Sequence, residues 1–122
     1  MKIVDRATFL ALPPGTMFAK YEPCCFGELR IKDDTIAEAG DYWSQDLIPW
    51  FVGAEDSGGY FDALAAIERG EPSPPLDYDC TDRNGLFDQD QLFAVFERKD
   101  VEALMSRLRR ALRTGYAHQP DE

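Results

Sequence analysis

"PPLDYDCTDRNGLFDQDQLFAVFE", residues 74–97, carries five aspartates within fourteen positions and an Asn-Gly step at its centre. A calcium loop, a tight β-hairpin and a long acidic loop would each pair its apolar residues differently, so its reading decides the fold of the C-terminal half. A calcium loop opening at Asp77 would offer Asp77, Asp79, Thr81 and Asp88 as ligands. Such a loop needs glycine at its sixth position, which here is Asp82, and it needs flanking helices where "PSPPL" and "LFAVFE" stand. No metal site is therefore expected. Folding at Asn84-Gly85, the strongest two-residue hairpin signal, would set Asp79 opposite Asp90, and like charges across a strand pair repel. The pairing that keeps apolar residues on one face sets Leu76, Tyr78 and Cys80 against Leu92, Ala94 and Phe96, with residues 81–91 as an acidic connecting loop.

Outward from this stretch, "VDRATFLAL" suits a short helix capped by Asp5, with Val4 and Phe9 as a hydrophobic staple and Pro13-Pro14 as its stop. "TMFAKYEPCCFGELRIK" alternates and predicts two adjacent strands: Met17, Ala19 and Tyr21 oppose Phe18, Lys20 and Glu22. Beyond Pro23, Leu29 and Ile31 face the core while Glu28, Arg30 and Lys32 face water. "DYWSQDLIPWFV" predicts a third strand whose far end Pro49 confines to an edge or bulge. "DSGGYFDALAAIERGEP" predicts a helix capped by Asp56 or Ser57, burying Phe61, Leu64, Ala65 and Ile67 and stopped by Gly70. In "KDVEALMSRLRRALRTG", Val101, Leu104, Met105, Leu108, Ala111 and Leu112 share one helical face, with Asp100 as cap and Gly115 at the end. The expected fold is α+β: a small antiparallel sheet of about four to five strands in the order α-β-β-β-α-β-β-α, covered by helices. One domain spans residues 1–122, with residues 116–122 as a flexible tail.

The net charge of −10 is unevenly spread. Residues 33–97 hold sixteen acids against two bases, Arg69 and Arg83, whereas residues 98–113 sum to +4. An acidic block of this strength repels phosphates and membrane surfaces and favours basic partners or cations, so direct nucleic-acid binding is not expected. No apolar run is long enough to span a bilayer, and "MKIVDRATFLALPPG" lacks the pattern of a signal peptide, so a cytoplasmic location is expected. Cys24, Cys25 and Cys80 are an odd number without a CxxC pair, and His118 is the sole histidine. A histidine-based triad or a multi-histidine metal site within one chain is excluded, and no cofactor is expected.

Among residues that could carry function, Cys24, Cys25 and Cys80 lack a neighbouring base and read as small core residues. Acidic residues could in principle serve a hydrolase, but no pair stands out by spacing and no phosphate loop accompanies them. The glycines of "SGGYF" could hold an anion at a helix start, a role that Asp56 and Asp62 beside them already occupy. Arg107, Arg109, Arg110 and Arg113 lie off the apolar stripe of the last helix, where they complement its dipole or meet an acidic partner or phosphates. Strand alternation cannot bury both Tyr42 and Trp43, nor both Trp50 and Phe51, so at least two of these rings are exposed or covered by another chain. With Asp77, Asp79, Asp82, Asp88 and Asp90 they compose an aromatic, acid-rimmed face of the kind that anchors interfaces.

Small size, acidity and the lack of a catalytic motif resemble the small inhibitors encoded by phages and mobile elements, a likeness of composition that assigns no residue. The first functional reading is a non-catalytic interaction protein that engages a basic protein surface through residues 41–97, with self-association left open. The second is a pocket for a small nucleotide-like ligand, with aromatics for stacking and the C-terminal arginines for phosphates. A carboxylate hydrolase ranks third.

Overall fold

The computed structural model describes residues 1–53, 56–83 and 89–117. In chain order the elements are β1 (Lys2–Val4), α1 (Arg6–Leu10), β2 (Met17–Glu22), β3 (Cys25–Phe26), β4 (Arg30–Ile36), β5 (Asp41–Asp46), α2 (Ser57–Glu68), β6 (Asp82–Arg83), β7 (Leu92–Val95) and α3 (Arg98–Gly115). The sheet runs β1-β7-β2-β4-β5-β6, with β3 hanging from β2 and every pairing antiparallel. This is the expected α+β class with more strands than four to five. The three-residue β1, which the sequence pattern does not announce, forms an edge beside β7.

The predicted pairing of residues 76–80 with 92–96 does not occur. β7 instead lies between β1 and β2, in register Phe18↔Val95, Ala19↔Ala94 and Lys20↔Phe93. Leu76 bridges to Phe51, and Asp82–Arg83 add to β5. The reason is that β7 is buried on both faces, Phe93 on one and Ala94 on the other, so its alternation does not mark a single core face. β2 behaves alike: Met17, Phe18 and Ala19 are all buried.

The core is a four-ring cluster of Phe9, Phe18, Tyr42 and Phe93. Phe9 is its centre, stacked on Phe93 at 3.9 Å and tilted against Phe18 at 4.6 Å and Tyr42 at 5.0 Å. It arrives there on the five-residue α1, capped as expected by Asp5, whose Oδ1 accepts from Thr8 N at 2.8 Å. Hydrogen bonding from the Thr8 side chain, and then from the Thr8 backbone N–H, holds the Asp5 carboxyl below its ordinary pKa.

Lys32 departs from the expectation that it faces water, since it is only 1% exposed. The registers Phe18↔Arg30 and Lys32↔Ser44 turn it to the ring-cluster side of the sheet. Its ammonium lies 5.9 Å from the Phe9 ring centroid and donates to the Asp33 carbonyl at 3.0 Å and to Thr35 Oγ1 at 2.8 Å. The apolar stem fills core space while the tip finds acceptors. Burial lowers the Lys32 pKa, against the opposing pull of Asp34 and Asp33.

α2 begins at Asp56, whose Oδ1 accepts from Gly59 N at 2.6 Å, and is followed by Gly70 at φ +96°. Its expected buried face is thinner than the sequence implies: Phe61 and Ala65 are exposed, while Leu64 and Ile67 are half-buried. α3 is capped one turn earlier than expected, by Glu97, with Asp100 completing a capping box by accepting from Glu97 N at 2.9 Å. The N-terminal ammonium, 2.8 Å from Asp100 Oδ2, is the first cause holding that carboxyl below its ordinary pKa. Among the described residues no helix is long and apolar enough to cross a membrane.

Cys24 and Cys25 are exposed, which corrects their reading as core residues. They sit in the β2–β3 turn closed by the Glu22↔Cys25 pair. Pro23 followed by Cys24 at φ +69° is the order of a type II turn, whose third position favours glycine. Relieving the left-handed strain outweighs the added freedom of the unfolded chain, so Cys24→Gly is expected to stabilise by about 0.5 to 1 kcal/mol. A rise in the urea midpoint at constant slope is the measurement; a lower midpoint would show that the Cys24 side chain contributes more than its strain costs.

Candidate functional site

The segment leaving β5 builds the most distinctive surface. Leu47 N donates to the Leu29 carbonyl at 3.0 Å, tying the end of β5 to the entrance of β4. Val52 N donates to the Pro75 carbonyl and Asp77 N to the Trp50 carbonyl, both at 2.7 Å, around the Phe51↔Leu76 bridge. α2 is therefore an excursion pinned at its base. Rings hold it down: Tyr60 stacks on Phe51 at 6.0 Å and meets Trp50 edge-on at 4.8 Å.

Beside this aromatic knot runs an open groove of about 510 Å³, lined by Glu28, Leu29, Asp46, Leu47, Ile48, Pro49 and Trp50. Ile48 is 71% and Trp50 55% exposed. Arg30 bridges the two acids of the groove, 3.2 Å from Asp46 Oδ1 and 3.7 Å from Glu28 Oε2. An apolar floor with a carboxylate rim can take an apolar side chain flanked by cations.

Of the four rings singled out from sequence, Trp43 and Trp50 are exposed, the minimum that alternation demands. Tyr42 belongs to the core and Phe51 is buried beneath Tyr60, so neither contributes to an exposed face. Trp43 lies apart from the groove, its ring 5.8 Å from the Arg83 guanidinium, which also donates to the buried Asp41 at 2.9 Å. Asp77 is half-buried and shapes its own turn, accepting from Asp79 N at 3.1 Å. Asp79, Asp82 and Asp90 are exposed, whereas Asp88 and the Asn84-Gly85 step lie outside the described residues, as does the tail from His118 on. The groove residues Glu28, Asp46 and Ile48 were not legible as a site. They meet through the Leu29–Leu47 contact.

Arg107, Arg109, Arg110 and Arg113 are exposed on α3 and enter no ion pair among the described residues. Arg109, Arg110 and Arg113 line one open hollow of about 520 Å³, and Arg107 and Arg110 line another of about 410 Å³ against Met17, Leu29 and Phe96. Tyr42, Trp43, Trp50 and Phe51 line neither of these two hollows. The Cys80 thiol is pushed up in pKa by burial and by Asp82, Asp77 and Asp46, which suppresses its reactivity. Among the described residues no three potential ligands gather where they could hold a metal ion. No protein-family model, curated protein or solved structure matches this chain.

Proposed function

We propose that this is a non-catalytic interaction protein whose acidic groove takes a basic partner surface bearing an apolar anchor. The observation that carries this reading is the pair Ile48 and Trp50, exposed on a pinned segment beside Glu28 and Asp46. Large apolar groups held rigidly at a charged rim cost little entropy to bury, and a basic partner is steered to them by the −14 charge of residues 33–97. Small size and acidity suggest a cytoplasmic inhibitor of the kind phages and mobile elements encode.

Quantitative capture from a host lysate on the immobilised chain tests the reading. A basic protein is expected to be retained at low salt and released as salt rises. Trp50→Ala or Ile48→Asp should weaken its retention by at least about tenfold, as removal of an interface anchor does. Substitution of the exposed Ile48 should leave the melting temperature nearly unchanged, whereas Trp50→Ala should lower it through loss of the Tyr60 contact. Retention that survives both substitutions would remove the groove from consideration. A saturable melting shift with a nucleotide would favour ligand sequestration instead.

A further inference from the structure

The apolar stripe of α3 is covered only at its start. Val101 and Leu104 are half-buried, but along the same face exposure rises to 46% at Met105, 57% at Leu108 and 65% at Leu112. Val101, Met105, Leu108 and Leu112 stand at i, i+4, i+7 and i+11, the spacing with which an amphipathic helix anchors in an apolar groove. Arg107 and Arg109 flank the stripe on its two sides at 100° per residue, and Arg110 and Arg113 lie further round.

We propose that the distal half of α3 docks into the acidic groove at Ile48 and Trp50 of a second copy of this chain, reciprocally, forming a two-fold dimer. The inference rests on the preceding reading of the groove and names one occupant for it. Charge selects that occupant. Arg107 and Arg109 flank the stripe, and the groove sets Glu28 and Asp46 against the single cation Arg30, a net negative rim, so helix and groove attract. Two α3 stripes packed on each other would instead bring Arg107 and Arg109, which flank the stripe, toward the same two of the other copy. Within one copy the exit of α3 is fixed: Phe96 N donates to the Met17 carbonyl at 2.9 Å and the Glu97–Asp100 capping box follows at once. The distal stripe therefore stands clear of its own groove. Leu29 lines both the groove and the hollow under the proximal half of α3, so a docked helix extends apolar surface that Leu104 already covers in part. Two-fold symmetry repeats the contact, doubling the area buried by each pair of complementary surfaces.

Sedimentation across a concentration range, on the full chain, tests this. The wild type is expected to form a dimer that weakens as salt rises. Leu108→Glu and Ile48→Glu should each weaken dimerisation by at least about tenfold with unchanged circular dichroism, since both side chains are exposed. Mixed together, the two variants should form a heterodimer weaker than the wild-type dimer but stronger than either variant alone, because one of its two reciprocal contacts keeps both native surfaces. A wild type that stays monomeric at every concentration overturns the proposal. So does a dimer that survives Leu108→Glu, and so does one lost in Leu108→Glu but kept in Ile48→Glu, which would mean helix against helix. Failure here is separable from failure of the functional reading: a monomer that still captures a basic protein through Trp50 keeps the groove as a binding site and removes only the second copy as its occupant.

Discussion

Phe9→Ala is expected to cost about 3 to 5 kcal/mol, the range for truncating a fully buried aromatic. Phe9 has no exposed surface and contacts all three other rings of the core, stacking on Phe93 at 3.9 Å. It is also the one buried residue of α1, a helix too short to persist without tertiary contacts. The substitution therefore opens a cavity among Phe18, Tyr42 and Phe93 and frees α1 from the sheet. Against a typical total of about 5 to 15 kcal/mol, that loss brings the chain close to its unfolding midpoint. Urea titration followed by circular dichroism measures it. A cost below about 1 kcal/mol, less than any buried aromatic truncation in that range, would mean that the ring cluster is not the centre of the fold.

Thr35→Val is expected to cost about 2 to 3 kcal/mol, because one oxygen serves a buried ammonium and a half-buried carbonyl, and a bond to a charged group is among the stronger ones. Thr35 Oγ1 donates to the Leu10 carbonyl at 2.7 Å, joining α1 to β4, and accepts from the Lys32 ammonium at 2.8 Å. Valine keeps the shape and deletes both bonds, leaving a desolvated ammonium short of an acceptor. The pH dependence gives this cost a signature. Burial sets the folded Lys32 pKa below the ordinary 10.5, so between the two values the unfolded state binds more protons. Stability then rises with pH in that window, and the penalty of the buried charge is fully present below the folded value. In the valine variant the ammonium is worse solvated, so its folded pKa should fall further and the deficit against wild type should shrink as pH rises toward 10.5. A deficit that stays constant over that range would assign the loss to the Leu10 bond alone.

Local chemistry was legible wherever a neighbour in sequence supplies the partner. Asp5 and Asp56 cap their helices because the N–H groups they accept from lie three residues on, and Gly70 follows α2 with a positive φ. The alternation of residues 17–22 and 30–32 marked strands, and the adjacency of Trp50 and Phe51 required one exposed ring. Which ring it is, and what stands beside it, came only from long-range pairing. Period-two alternation names two faces but cannot say that both are covered, so it misplaced Lys32 and assigned β7 to residues 76–80 in place of β1 and β2. The hydrophobic stripe of α3 was plain in the sequence, yet whether a stripe is buried depends on how far the body extends beneath it. Here the body supports Val101 and Leu104 and leaves Leu108 and Leu112 exposed. The groove belongs wholly to tertiary structure: Glu28 and Asp46 meet across Arg30 because β4 and β5 pair Arg30 with Asp46, and a register between strands is a property of the assembled sheet, where side chains distant in sequence share one surface.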